Sequence, residues 1–206
     1  AYNTYYTAFN TNMVVNELFL DSSTLRDNVV ALAKQIGYTP KSITAPKAAV
    51  DLALTFSGNP PSSVTFKKGS GFVTNFDGSL YQYILSDDYR TEINNNVAAF
   101  DDLPIYEGSL VTTRTEVNTS LKSQRFRVEN PSADTSTLKV RVYNSASSNI
   151  YETYEVADNI LNIGSDNRVF FVSEIEDESY EVFFGDGVLG RALENGEVVE
   201  MSYVVT

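Results

Sequence analysis

The stretch Tyr180-Glu181-Val182-Phe183-Phe184-Gly185-Asp186-Gly187-Val188-Leu189-Gly190-Arg191-Ala192-Leu193-Glu194-Asn195-Gly196-Glu197-Val198-Val199-Glu200-Met201-Ser202-Tyr203-Val204-Val205-Thr206 decides how this chain is read. Its glycines at Gly185, Gly187 and Gly190 make a formal G-x-G-x-x-G, the spacing of a dinucleotide-binding loop. Such a loop holds a pyrophosphate only when the chain runs on into a helix whose N-terminal amides meet the charge. Here Asn195-Gly196, which favours a type I′ hairpin turn, follows almost at once, and Val199, Met201, Tyr203 and Val205 then alternate as a strand. The residues Gly185, Asp186, Gly187, Gly190, Asn195 and Gly196 are therefore expected to be structural turn positions that bind nothing.

Composition narrows the function further. The chain has 206 residues, of which 42% are hydrophobic and 12% aromatic, enough to bury a core in one or two domains. Lys and Arg number 15 against 27 Asp and Glu, a net charge of −12. That sign opposes binding to phosphates or anionic lipid, so neither nucleic acid nor a membrane is an expected partner. There is no cysteine, hence no disulfide framework or thiolate metal site, and no histidine, the usual general base and commonest metal ligand. No catalytic residue, metal site, cofactor or small-molecule substrate is expected. No apolar run long enough to span a bilayer occurs, and the N-terminus lacks a basic segment followed by an apolar one.

Periodicity changes once along the chain. Tyr2, Tyr6, Phe9 and Met13 fall on a helical repeat, and Leu25, Val29, Leu32 and Ile36 fall on a second. Two amphipathic helices are predicted. The second has Ser23 or Thr24 as N-cap and Gly37 as C′ ahead of Tyr38-Thr39-Pro40. The first has no cap before Ala1 and reads as a fragment of a longer helix. These eight apolar residues form a candidate assembly face, packing either on the chain's own second helix or on a partner.

From Pro46 the period becomes two. Ala48, Val50, Leu52, Leu54 and Phe56 alternate up to the break at Gly58-Asn59-Pro60-Pro61, and Val64, Phe66 and Phe72-Val73 flank a turn at 67–71. Further strands are predicted at 81–84, 109–115, 126–128, 138–143, 169–172 and 180–184, and 144–149 reads as a polar loop. The links are too short for crossover helices, so the fold class is α+β, N-terminal helices followed by a mainly antiparallel β region. Its divisions are read as a helical arm at 1–38, a β subdomain at 39–122 and a second β subdomain at 123–206 ending in the Gly-Asp-Gly hairpin.

Weaker signals have plainer readings. Glu174, Glu176, Asp177, Glu178 and Glu181 lack the fixed offsets and glycine of a calcium loop and read as a solvated hairpin tip. A carboxylate pair at glycosidase spacing arises by chance among 27 acids. Asn118-Thr119-Ser120 matches a glycosylation acceptor, a pattern too short to carry weight.

The order of several short pieces carries a resemblance. Leu25-Arg26-Asp27-Asn28-Val29-Val30 leads through Gly37-Tyr38-Thr39-Pro40-Lys41-Ser42 to Ala45-Pro46 and the alternating strand. Lys68-Gly69, Tyr106-Glu107-Gly108, Phe184-Gly185-Asp186-Gly187, Gly190, Asn195-Gly196 and Tyr203 follow. This series resembles the baseplate wedge proteins of contractile-tailed, T-even-like phages, the gene product six and baseplate J-like family. The resemblance implies a structural virion protein of the tail baseplate, made and assembled in the host cytoplasm. It also implies further sequence on both sides of this segment. Its partners would be other wedge subunits and a second copy of itself, closing a ring around the tail hub. The alternative is a receptor- or glycan-binding β domain of a phage or surface protein, equally acidic and free of His and Cys.

Overall fold

A computed structural model describes residues 2–35, 38, 41–121, 123–157, 162–175 and 179–206. Helices α1 (Tyr2–Asn16) and α2 (Arg26–Gln35) come first. Then follow β1 (Lys47–Thr55), β2 (Ser63–Phe66), β3 (Gly71–Phe76), β4 (Ser79–Ile84), β5 (Tyr89–Asn94), β6 (Val97–Glu107) and β7 (Ser109–Glu116). The remaining strands are β8 (Phe126–Val128), β9 (Ala133–Tyr143), β10 (Tyr151–Val156), β11 (Val169–Glu174), β12 (Tyr180–Phe184) and β13 (Val198–Val205).

The strands form two sheets. The first runs β2-β5-β6-β4-β3, with β1 paired to β6; the second runs β7-β13-β9-β10-β11-β12-β8. All pairings between the described strands are antiparallel except β10 with β11. Each sheet has its own core. Leu85, Ala98, Phe100, Leu103 and Ile105 centre the first, and Val128, Val140, Val142, Tyr180, Val182, Val199, Met201 and Tyr203 lie in the second. The change of sheet falls at Gly108, between β6 and β7, earlier than the division after 122 drawn from the sequence.

Three strands were not legible. β6 carries Asp101-Asp102 and Pro104, which read as a break. In the structure Asp102 takes φ 53° at a β-bulge, where its amide donates to Asp51 Oδ1 at 2.9 Å. Pro104 lies where β6 pairs with β1 and has left its neighbours β5 and β4, so its missing N–H breaks no second ladder. β5 joins β6 through Asn95 and Asn96, both at positive φ, a type I′ turn without glycine. β10 is marked only by Tyr151 and Tyr154 between acids.

Turn chemistry at the C-terminal end departs from expectation. β12 pairs with β11 and β8, whereas β13 pairs with β7 and β9. The segment 185–197 is thus a crossing between distant strands of one sheet, and the expected Gly-Asp-Gly hairpin is absent. At Asn195-Gly196 only Gly196 has positive φ, 86°, as the third residue of a type II turn requires. The type I′ expectation fails because no two-residue hairpin is being closed there.

Candidate assembly surfaces

α1 is a helix with no buried residue. Tyr2, Tyr6, Phe9 and Met13 are 84, 61, 56 and 51% exposed, and Tyr5, Val14 and Val15 also face solvent. Apolar groups therefore surround the helix. The expected narrow stripe covered by α2 is not what forms.

What holds α1 to the rest is one carboxylate. Glu17, just past the helix end, accepts from Ser23 Oγ (2.6 Å), Thr24 N (3.0 Å), Thr24 Oγ1 (2.7 Å), Leu25 N (3.2 Å) and Asn28 Nδ2 (2.9 Å). These bonds, the one from Asn28 foremost, hold its carboxyl well below the ordinary 4.5. Glu17 thus does the capping expected of Ser23 or Thr24, which donate to it. The first bond of α2 runs from Val29 N to Leu25 O (3.1 Å), making Leu25 the N-cap by backbone position. The sequence signal for this lay in reach, a Glu six to eight residues upstream of an S-T-L start, and no local capping rule looks that far.

α2 turns a different face inward from the one expected. Val30 and Ala33 are buried, Val29 and Leu32 are half-buried, and Leu25 is exposed. Ile36, Gly37, Thr39 and Pro40 lie outside the described residues, as do Glu176, Asp177 and Glu178 of the acidic run. At the helix start Arg26 Nη2 pairs with buried Glu174 Oε1 at 2.8 Å. Asp27, Val30 and Ala31 share a concavity with Arg127, Ser173 and Glu181, so α2 lies against the β8–β12–β11 side of the second sheet. The other described acid of the run, Glu181, pairs with Arg125 at 2.6 Å. These acids serve ion pairs within the fold, and among the described residues no three Asp or Glu converge on a metal position.

The glycine loop is built by backbone needs. Asp186 Oδ1 accepts from Val188 N (2.9 Å) and Leu189 N (3.0 Å), and these bonds, Leu189's first, hold its carboxyl below the usual range. Gly187 has φ 87° and its amide donates to Gly190 O at 3.0 Å. At Gly185 a Cβ would collide with the carbonyl oxygens of Leu189 and Gly190. The chain then passes Arg191, which donates to Tyr154 Oη and Glu197 Oε1, both at 2.6 Å, and reaches β13 with no helix between. No helix N-terminus faces the glycines. We expect Gly187→Val to lose about 1–3 kcal/mol through its φ alone, since its Cβ has room. Gly185→Ala should lose as much through collision. Thermal melts with and without nucleotide check this; a nucleotide-dependent rise for the parent chain would overturn the structural reading.

The two sheets are joined by a polar seam with a small apolar centre. Ala45, Ile84 and Val204 are buried together, with Tyr106 and Leu110 packed against them. Glu200 of β13, whose side chain is 5% exposed, accepts from Lys68 Nζ of the first sheet's 67–70 turn and from Arg114 of β7, each at 2.7 Å. Tyr143 Oη donates to the same carboxylate at 3.4 Å. Arg141, opposite Glu200 on β9, crosses to Asp87 Oδ1 at 3.3 Å. Buried Asp134 receives Ala45 N on Oδ2 at 2.8 Å, and Ser42 Oγ receives Thr135 N at 2.8 Å. Glu200 and Asp134 were not singled out in the sequence, because polar residues alternating with apolar ones on a strand read as a solvent face.

No family model matches the chain. It is similar to the baseplate wedge protein gp6 of Enterobacteria phage T4, with 27% identity over 190 residues, covering 91% of this chain and 27% of that protein. The likeness is to a phage baseplate protein. This chain spans about a quarter of the length of that relative, and the aligned length takes in nearly all of the helical arm and both sheets.

Proposed function

We propose that this chain is a structural segment of a phage tail baseplate wedge. In this reading the joined sheets are a rigid body and α1 is the element that engages other wedge subunits, with a second copy of the chain among the partners. The chain carries out no catalysis and takes no cofactor. It would reside in the virion tail, having been assembled in the host cytoplasm. The observation that carries the reading is the exposure of α1: a fifteen-residue helix with apolar side chains on every side and none buried. A helix apolar all round belongs inside an assembly. Similarity to a phage baseplate protein supplies the kind of assembly. A body whose buried acids are each committed to a partner within the fold suits a load-bearing part.

The test uses Tyr6→Asp with Phe9→Asp. Both side chains are exposed, so the isolated double variant should keep its stability within about 0.5 kcal/mol. Burying each aromatic against a partner contributes about 1.5–3 kcal/mol, so the pair should remove most of a helix contact. Placed in the complete protein, the double variant should fail to co-purify with the other wedge subunits. Normal wedge assembly by a soluble, folded variant would refute the role of α1.

A further inference from the structure

We infer that the open edge of β3 is a self-pairing surface, joining two copies of this chain through an antiparallel β3–β3 contact that continues the first sheet across both molecules. The inference rests on how this protein guards its sheet edges and is independent of the baseplate reading.

Exposed strands with unpaired amides invite another strand, and proteins blunt them with charge, shortness or a bulge. Most edges here are blunted. β1 carries Lys47 and Asp51 and is bent by the bulge at Asp51. β2 has four residues and runs into Lys67-Lys68. β7 carries Arg114 and Glu116, and β8 has three residues including Arg127. β3 has none of these devices. Its six residues, Gly71-Phe72-Val73-Thr74-Asn75-Phe76, include no charge and no proline, and neither do the six of its partner β4.

The β3–β4 hairpin also stands away from its sheet. β4 meets β6 only at Tyr83–Glu107 and Ile84–Tyr106, so from Val73 to Gln82 the ribbon pairs almost wholly with itself. A two-stranded ribbon is marginal in water and gains stability from a third strand. Val73, Phe76 and Leu80 are 63, 72 and 71% exposed on it.

Register specifies the contact. The turn at Asp77-Gly78, with φ 50° and 80°, makes Phe76–Ser79 a hydrogen-bonded pair. Alternation then turns the amides of Phe72 and Thr74 toward β4 and those of Gly71, Val73 and Asn75 to the open edge. A two-fold axis normal to the sheet at Thr74 sets Val73 against Asn75 of the second copy, both with free amides and carbonyls. The same operation sets Phe76 beside Phe72 of the second copy. The occupant is a second copy because the edge is neutral. A chain of net charge −12 repels its own kind over most of its surface, and this uncharged ribbon is where two copies meet without like charges opposed.

The test is the solution mass of the 206-residue chain by light scattering across a micromolar series, with Val73→Lys and Leu80→Lys. Leu80 is as exposed as Val73 and lies on β4, off the proposed edge. The parent and Leu80→Lys should approach twice the chain mass, and Val73→Lys should stay at the monomer mass with an unchanged circular dichroism spectrum. Hydrogen exchange of the parent chain gives a second reading that needs no variant. The amides of Val73 and Asn75 should gain protection as concentration rises, while those of Phe72 and Thr74 should be protected throughout. A parent chain that remains monomeric, a dimeric Val73→Lys, or concentration-independent exchange at Val73 and Asn75 would each overturn the proposal.

Discussion

Gly108→Ala is expected to be the most damaging single methyl group that can be added to this protein, costing about 2–6 kcal/mol. About 1–3 comes from forcing a side chain into a positive φ and about 1–3 from displacing packed atoms. Gly108 sits at φ 123°, and a Cβ there would collide with the carbonyl oxygen of Val205. Its amide donates to Gln82 O at 3.0 Å, so one residue touches β4, ends β6, begins β7 and lies against the end of β13. Relief by shifting any of these would disturb the others. Gly78→Ala is the control, with φ 80° and nothing near its Cβ, so it should carry the φ cost alone. Denaturant melts that place the two variants at equal stability would show that the contact with Val205 is not tight.

Glu200→Gln should have the next largest effect, about 2–3 kcal/mol at neutral pH. Breaking a fully buried ion pair costs about 3–5 kcal/mol; the smaller figure applies because the Arg114 side chain is 53% exposed and Lys68 21% exposed, so both regain water. Burial opposes the charge on Glu200, but the hydrogen bonds from Lys68 and Arg114 outweigh it and hold the carboxyl below the ordinary 4.5. A carboxyl so depressed contributes stability that is complete above its unfolded value and is lost as pH falls through its folded one. The parent melting temperature should therefore be flat from neutrality to about pH 5 and fall below about pH 4.5. Glu200→Gln should start lower and fall less steeply in acid. Glu17 and Asp186, also depressed, would still titrate in both chains. Parallel acid limbs in the two proteins would remove Glu200 from this account.

Much of the fold could be read from the pattern of side chains. Alternation found β1, β9 and β13 because each has one strictly apolar face, and the short links excluded crossover helices. The breaks in that reading have local causes. Asp101-Asp102 and Pro104 hid β6 because their cost is absorbed by a bulge and a gap in pairing that only the tertiary structure supplies. The cap of α2 was misassigned because its acceptor comes from Glu17, across a turn. The seam was invisible for a more general reason: Glu200 and Ser202 alternate with Val199, Met201 and Tyr203, yet all five are buried. A strand with a polar face covered by a second sheet has the same pattern as one with a polar face in water. The turn residues at 185–190 were correctly read as backbone needs, while the partners of the strands they connect depended on contacts far apart in sequence.

The central place of β13 has a bearing on how the molecule comes to be folded. The thirteenth strand is inserted between the seventh and the ninth, pairing along most of its length with each. Until its eight residues have left the ribosome, β7 is without the neighbour it pairs with and β9 is paired on one side only. The strands of the first sheet, all within 47–107, are complete much earlier in synthesis. The first sheet can therefore close during translation, whereas the second waits for a long-range closure of the kind that slows folding. In that interval the apolar edges of β7 and β9 are bare, which makes the nascent chain's exposure to aggregation a matter of how quickly its last strand arrives.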